Sequence, residues 1–147
     1  MRSIPNNRLV IADSGYWVAL GNPKDRHHQR ALHLFKTLDA MPITTWPVIT
    51  EVCHLLHTRV SHRAQLVFMQ SLTNGASRLF HLDSTHFDQM EHLMHRYRNL
   101  PMDLADASLV ILAEALGHGR ILSTDQRDFE SYRWKSHEPF DNLLLPG

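Results

Sequence analysis

Two apolar runs that each stop at an aspartate constrain this chain more than any other feature. RLVIADSG, residues 8–15, carries Leu9, Val10, Ile11 and Ala12 without a polar residue and then places a charge at Asp13. RILSTD, residues 120–125, repeats the arrangement, with Asp125 shortly after Ile121 and Leu122. A strand that is apolar at successive positions is buried on both faces, as in a parallel sheet covered by helices. The segments between have helical spacing; residues 27–38 place Ala31, Leu32, Leu34, Phe35 and Leu38 on one side. The pattern predicts strands over 8–12, 41–45, 78–82 and 120–123 and an edge strand within 139–144. Helices are expected over 16–20, 27–38, 47–59, 63–72, 84–98, 103–116 and 126–130, with Pro47 in a first turn and Gly117 as a stop. Strands alternating with helices imply an α/β sandwich around a mostly parallel sheet of about five short strands.

With 147 residues, 43% of them apolar, the chain suits one domain, 1–147 with its core over about 8–145. No apolar run approaches the roughly 20 residues of a membrane span. MRSIPNN lacks the apolar stretch of a signal peptide, and Cys53 is alone, so a cytoplasmic location with no membrane partner is expected.

In open parallel sheets, sites form beyond the carboxyl ends of the strands. Asp13 and Asp125 both stand at such ends. Two helices add acids: Glu51 in TTWPVITEVCHLL neighbours Val48 and Leu55, and Asp106 in PMDLADASLVILAEALG shares a face with Val110 and Ala113. Each also has an ordinary use. Asp13, Asp103 and Asp125 can cap the helices that follow, Asp106 can close a capping box, and Glu51 can be solvated. Gathered in one cleft, however, carboxylates repel and resist desolvation. A hard divalent cation such as Mg²⁺ or Mn²⁺, which takes oxygen ligands, resolves that conflict.

The pieces VIADSGYWVAL, TTWPVITEV, MDLADASLVILAE and ILSTDQRDF resemble the PIN-domain family, and more narrowly the VapC-type ribonuclease toxins of bacterial toxin–antitoxin pairs. The resemblance runs from about residue 8 to 130. It implies a PIN-like three-layer sandwich and an endoribonuclease that depends on Mg²⁺ or Mn²⁺ and uses metal-activated water. The implied catalytic set is Asp13, Glu51, Asp106 and Asp125, with Asp13, Asp106 and Asp125 as metal ligands and Glu51 binding directly or through water. Asp103, Asp128, Ser14 and Thr124 are auxiliary candidates. The implied partners are an RNA substrate, a cognate antitoxin and a second copy in a homodimer, with the amphipathic helices between residues 27 and 72 as candidate interfaces. A PIN nuclease of RNA processing would carry the same residues. A phospho-accepting signalling domain fits poorly, since strand one supplies a single acid and no late strand ends on a lysine.

Net charge is zero with histidine neutral, so RNA contacts must come from local patches. Arg59, Arg63, Arg96, Arg98 and Arg127 flank the acid-bearing segments and are the candidate phosphate contacts. Trp46 is a candidate stacking residue, whereas Tyr16 and Trp17 sit in an apolar helix and read as packing. Cys53, His54 and His57 have chelating spacings, but no HExxH or CxxC is present, so zinc is disfavoured.

Overall fold

The computed structural model describes residues 3–146; residues 1, 2 and 147, the ends of the 1–147 domain expectation, lie outside the described residues. Five strands form one parallel sheet in the order β3-β2-β1-β4-β7, where β1 is Leu9–Ala12, β2 Met41–Thr45, β3 Arg78–Phe80, β4 Arg120–Leu122 and β7 Asp141–Asn142. Helices α1 (Ser14–Gly21), α2 (His28–Thr37), α3 (Trp46–Arg59), α4 (His62–Thr73), α5 (Phe87–Arg96), α6 (Leu104–Leu116) and α7 (Gln126–Ser131) flank it. The expected α/β sandwich is what the chain forms.

The sheet centre explains the apolar runs. Every residue of β1 is buried, as are Ile121 and Leu122 of β4, the strand beside it. Helix α6 is almost as apolar and packs against β1, β2, α3 and α5, burying Leu109, Val110, Ile111 and Leu112. Each such side chain contributes roughly 1.5–3 kcal/mol when removed from water. The helix ends at Gly117, whose φ of 79° is the left-handed cap that glycine adopts without a Cβ penalty.

Two elements differ from expectation. Only Asp141 and Asn142 of the 139–144 segment join the sheet, because the preceding chain folds into an antiparallel pair, β5 (Arg133–Trp134) with β6 (Glu138–Pro139). Its turn holds Lys135 and Ser136 at φ of 49° and 66°, positions that no glycine or asparagine signalled. The helix expected from residue 84 begins instead with a 3₁₀ turn, Ser84–His86, capped by Asp83, and α5 follows from Phe87.

Candidate active site

Since β1 and β4 are parallel neighbours, their carboxyl ends lie side by side, and α1 and α7 start there. The Asp13 N–H donates to the Leu122 carbonyl at 3.0 Å, locking the two ends together. Helix α6 brings a third N-terminus, and α3 supplies a side wall. Between them is a cavity of about 290 Å³ lined by Asp13, Glu51, Asp103, Asp106, Asp125 and Asp128. Ser14, Gly15, Asp25, Arg59 and Thr124 complete much of the wall. The predicted acids, scattered over more than a hundred positions of sequence, thus share one cavity with both auxiliary acids, Ser14 and Thr124. Asp25, from the α1–α2 loop, is an acid that the sequence reading missed.

The capping use and the site use of these acids coincide. Asp13 accepts from the Ser14 N–H at 2.7 Å, Asp103 from the Asp106 N–H at 2.8 Å, and Asp125 from the Asp128 N–H at 3.4 Å. A helix start favours nearby negative charge. Three of them pointing into one cavity partly offset the repulsion among the carboxylates.

The offset is incomplete. Burial is the main cause that lifts the Asp13 carboxyl to about 6, with the charges of Glu51 and Asp125 adding and the Ser123 and Ser14 hydrogen bonds opposing. Asp106 is pushed up to about 8 by burial and by the charges of Asp103 and Asp13. Asp125 rises to about 6 through burial and its hydrogen bond and charge interaction with Asp128. Burial likewise raises Glu51. The cleft therefore attracts protons or cations strongly. Oxygen atoms of Asp106, Asp125 and Asp128 lie within 4.8 Å of one another. An all-oxygen donor set of this charge suits a hard divalent cation.

Neutral groups hold the acids in place. The Ser123 hydroxyl donates to Asp13 Oδ2 at 2.8 Å and accepts the Asp125 N–H at 2.9 Å, joining the two strand-end acids. Asn142 fixes Ser123 in turn: its Nδ2 donates to the Ser123 carbonyl at 3.0 Å and its Oδ1 accepts the Ser123 N–H at 3.2 Å. The Ser14 hydroxyl donates to Glu51. The Tyr132 hydroxyl donates to Asp106 Oδ2 at 3.0 Å. A Cβ on Gly15 would fall 1.8 Å from Thr124 Oγ1, so glycine is what lets α1 begin against the β4–α7 loop. Ser123, two residues before Asp125, could have been read from LSTD; nothing in the sequence marks Tyr132 or Asn142.

The predicted arginines separate. Arg59 lines the acidic cavity. Arg127 lines an adjoining cavity of about 370 Å³ that shares Pro101, Asp125 and Asp128 with it. Arg96 donates to the Ser136 carbonyl at 3.2 Å and lies over the Tyr97 ring, and Arg98 donates to the His95 carbonyl at 2.9 Å. Arg63 lines a separate apolar groove. Tyr16 and Trp17 are buried, and Trp46 is 54% exposed. Among the described residues, no cysteine or histidine belongs to a cluster with metal-ligand spacing; His57 and His62 meet edge to face instead.

Known proteins match this arrangement. No family model matches the chain. It is 30% identical over 95 residues to ribonuclease VapC26 of Mycobacterium tuberculosis, covering 65% of this chain and 70% of that protein. The chain belongs to the VapC family of PIN-domain ribonuclease toxins. A second VapC relative, the 23S rRNA-specific endonuclease VapC20 of M. tuberculosis, is 25% identical over 100 residues, 68% of this chain and 76% of that protein. The crystal structure of M. tuberculosis VapC20, a sarcin–ricin loop cleaving toxin, superposes with a TM-score of 0.74 at 22% identity, covering 80% of this chain and 91% of that one. That likeness establishes the PIN-like VapC fold expected from the sequence.

Proposed function

We propose that this VapC-family nuclease hydrolyses RNA with a divalent cation, Mg²⁺ or Mn²⁺, held in the acidic cleft, and that residues 8–145 are one working domain. The observation that carries the reading is the gathering of carboxylates from β1, α3, α6 and the β4–α7 loop into one cavity. Burial and mutual repulsion raise their proton affinity, which only a positive charge relieves.

Asp106, Asp125 and Asp128 are the closest set of oxygen donors and would hold the ion. Asp13, the most buried acid of the cavity at 4% exposure, lies beside them with its oxygens engaged by Ser14 and Ser123. It remains a ligand candidate and fixes the negative end of the site. A bound divalent cation supplies charge neutralisation at the phosphoryl oxygens and lowers the pKa of water. Glu51 lines the same cavity, next to Asp103, and its raised pKa suits a proton acceptor for the attacking water. Hydrolysis adds the water oxygen to phosphorus and breaks the bond to the 3′ oxygen, which takes a proton. The products are a 5′-phosphate and a 3′-hydroxyl. Arg59 and Arg127, which line the two adjoining cavities, would hold phosphates that flank the bond that is cut.

A VapC toxin implies a cognate antitoxin. We place it on the apolar groove of about 480 Å³ lined by Trp17, Leu20, Phe35, Leu56, Val67 and Phe68. Phe35 and Val67 are more than half exposed there, within the 27–72 region expected to form interfaces. A homodimer and a cytoplasmic location belong to the same reading; among the described residues no helix is long and apolar enough to cross a membrane.

The test is cleavage of total RNA with Mg²⁺ or Mn²⁺ and with EDTA, followed by mapping of the ends. Metal-dependent cuts leaving 5′-phosphates, abolished in Asp13→Asn, are expected. Cleavage that persists in EDTA overturns the reading. Growth arrest on expression, relieved by the product of an adjacent small gene, separates a toxin from an RNA-processing nuclease.

A further inference from the structure

Helix α7 ends at Tyr132, whose ring is fully buried. Edge-to-face contacts with Tyr97 and Phe129, each at 5.1 Å between centroids, fix that ring, and Phe129 packs on Phe140 at 5.2 Å. Tyr97 is itself anchored, its hydroxyl accepting the Arg133 N–H at 3.1 Å. Tyr132 reaches two of the three clustered acids from this rigid seat. Its backbone N–H donates to the Asp128 carbonyl at 2.9 Å, closing the last turn of α7. Its hydroxyl donates to Asp106 Oδ2 at 3.0 Å, across to α6.

Asp106 needs such a brace. Its carboxylate is desolvated and repelled by the neighbouring charges of Asp103 and Asp13. The hydroxyl is its one hydrogen-bonding side-chain partner among the described residues. A neutral donor commits one carboxylate oxygen, keeps the group turned toward Asp125 and Asp128, and adds no charge that would compete with a cation. Groups that orient metal ligands in this way typically change affinity by about 10–100-fold when removed.

We propose that Tyr132 is a positioning residue: its hydroxyl pins Asp106 against Asp125 and Asp128 and so sets the affinity of the acidic cluster for a divalent cation. This rests on the cleft being the cation site.

The test is Mn²⁺ titration of the full chain by electron paramagnetic resonance, comparing the native protein with Tyr132→Phe and Tyr97→Phe. Both variants keep the aromatic ring and lose a buried hydroxyl, but only Tyr132 touches an acid. The expected result is about a tenfold weaker Mn²⁺ affinity in Tyr132→Phe and an affinity within about twofold of native in Tyr97→Phe. Native affinity in Tyr132→Phe, or an equal loss in Tyr97→Phe, overturns the proposal while leaving the cation site standing. A native protein that binds no Mn²⁺ overturns both. A second readout needs no variant: the chain has three tyrosines, and the ¹³Cζ resonance of Tyr132 should move on Mg²⁺ addition while that of Tyr16 stays. A Tyr132 signal unmoved at saturating Mg²⁺ also contradicts the role.

Discussion

Helix α1 is the shared wall of two cavities of opposite chemistry. Ser14, Gly15 and Val18 face the acidic cleft, whereas Trp17, Leu20 and Gly21 face the apolar groove. Helix α3 divides in the same way, with Glu51, Leu55 and Arg59 on one side and Leu56 on the other. In the cleft, side chains are tied to one another through Ser14, Ser123 and Tyr132, and charge is the unresolved quantity. In the groove, Phe35 and Val67 stand 60% and 53% exposed. The cleft asks for a cation and the groove for apolar surface. Two helices thus line an acidic cavity on one face and an apolar groove on the other, and on the proposed reading changes to one face should leave the other working.

The largest expected effect is on cleavage. Asp106→Asn or Asp125→Asn should lower the single-turnover rate by at least about a hundredfold while antitoxin binding stays native; parallel loss of both would break the separation. Next in size is the converse. Phe35→Ser or Val67→Ser should weaken antitoxin binding about tenfold or more, read by calorimetry, with RNA cleavage unchanged. Smaller still is the effect of the flanking cations. Arg59→Ala and Arg127→Ala should raise KM about three- to tenfold at near-native kcat and flatten the salt dependence of binding, each removing about one phosphate contact. An unchanged KM in both would remove them from the RNA path.

The smallest effect is thermal. Asp13, Asp106 and Asp125 have carboxyls raised from the usual 3.8 to about 6, 8 and 6. Across that window the metal-free folded state holds protons that the unfolded chain has released, so stability falls as pH rises from about 4 to about 8. Asp106→Asn removes the most strongly shifted of these groups and should melt a few degrees above the native protein at pH 8 without metal, where about 1 kcal/mol corresponds to ~2–4 °C. The advantage should shrink at pH 5, and Mg²⁺ should raise the native melting temperature more at pH 8 than at pH 5. A native protein whose metal-free stability rises toward pH 8 would contradict the raised carboxyls.

The sheet was legible because its central strands are buried on both faces and therefore apolar without interruption, as at Leu9 to Ala12. The acids were legible for the opposite reason: Asp13 and Asp125 interrupt apolar runs where a charge is costly. Capping and gathering do not exclude each other: Asp13, Asp103 and Asp125 cap helices and also line the acidic cavity. The supporting groups were harder. Thr124 stands beside Asp125 in sequence, but Ser123 is the residue that bridges Asp13 and Asp125. Tyr132 and Asn142 act through contacts distant in sequence, to Asp106 and Ser123, with no local spacing to mark them. The β5–β6 pair was hidden because Lys135 and Ser136 adopt positive φ without a turn residue. Among the arginines, sequence proximity to the acids did not separate Arg59, in the cleft, from Arg96, which is held by Ser136.

The most direct test of the central claim is an anomalous difference map from a crystal soaked in Mn²⁺. The account predicts a peak in the cleft, bonded to carboxylate oxygens of Asp106, Asp125 and Asp128, that disappears in Asp125→Asn. A map with no peak there, or with manganese only at surface histidines such as His57 and His62, would contradict it.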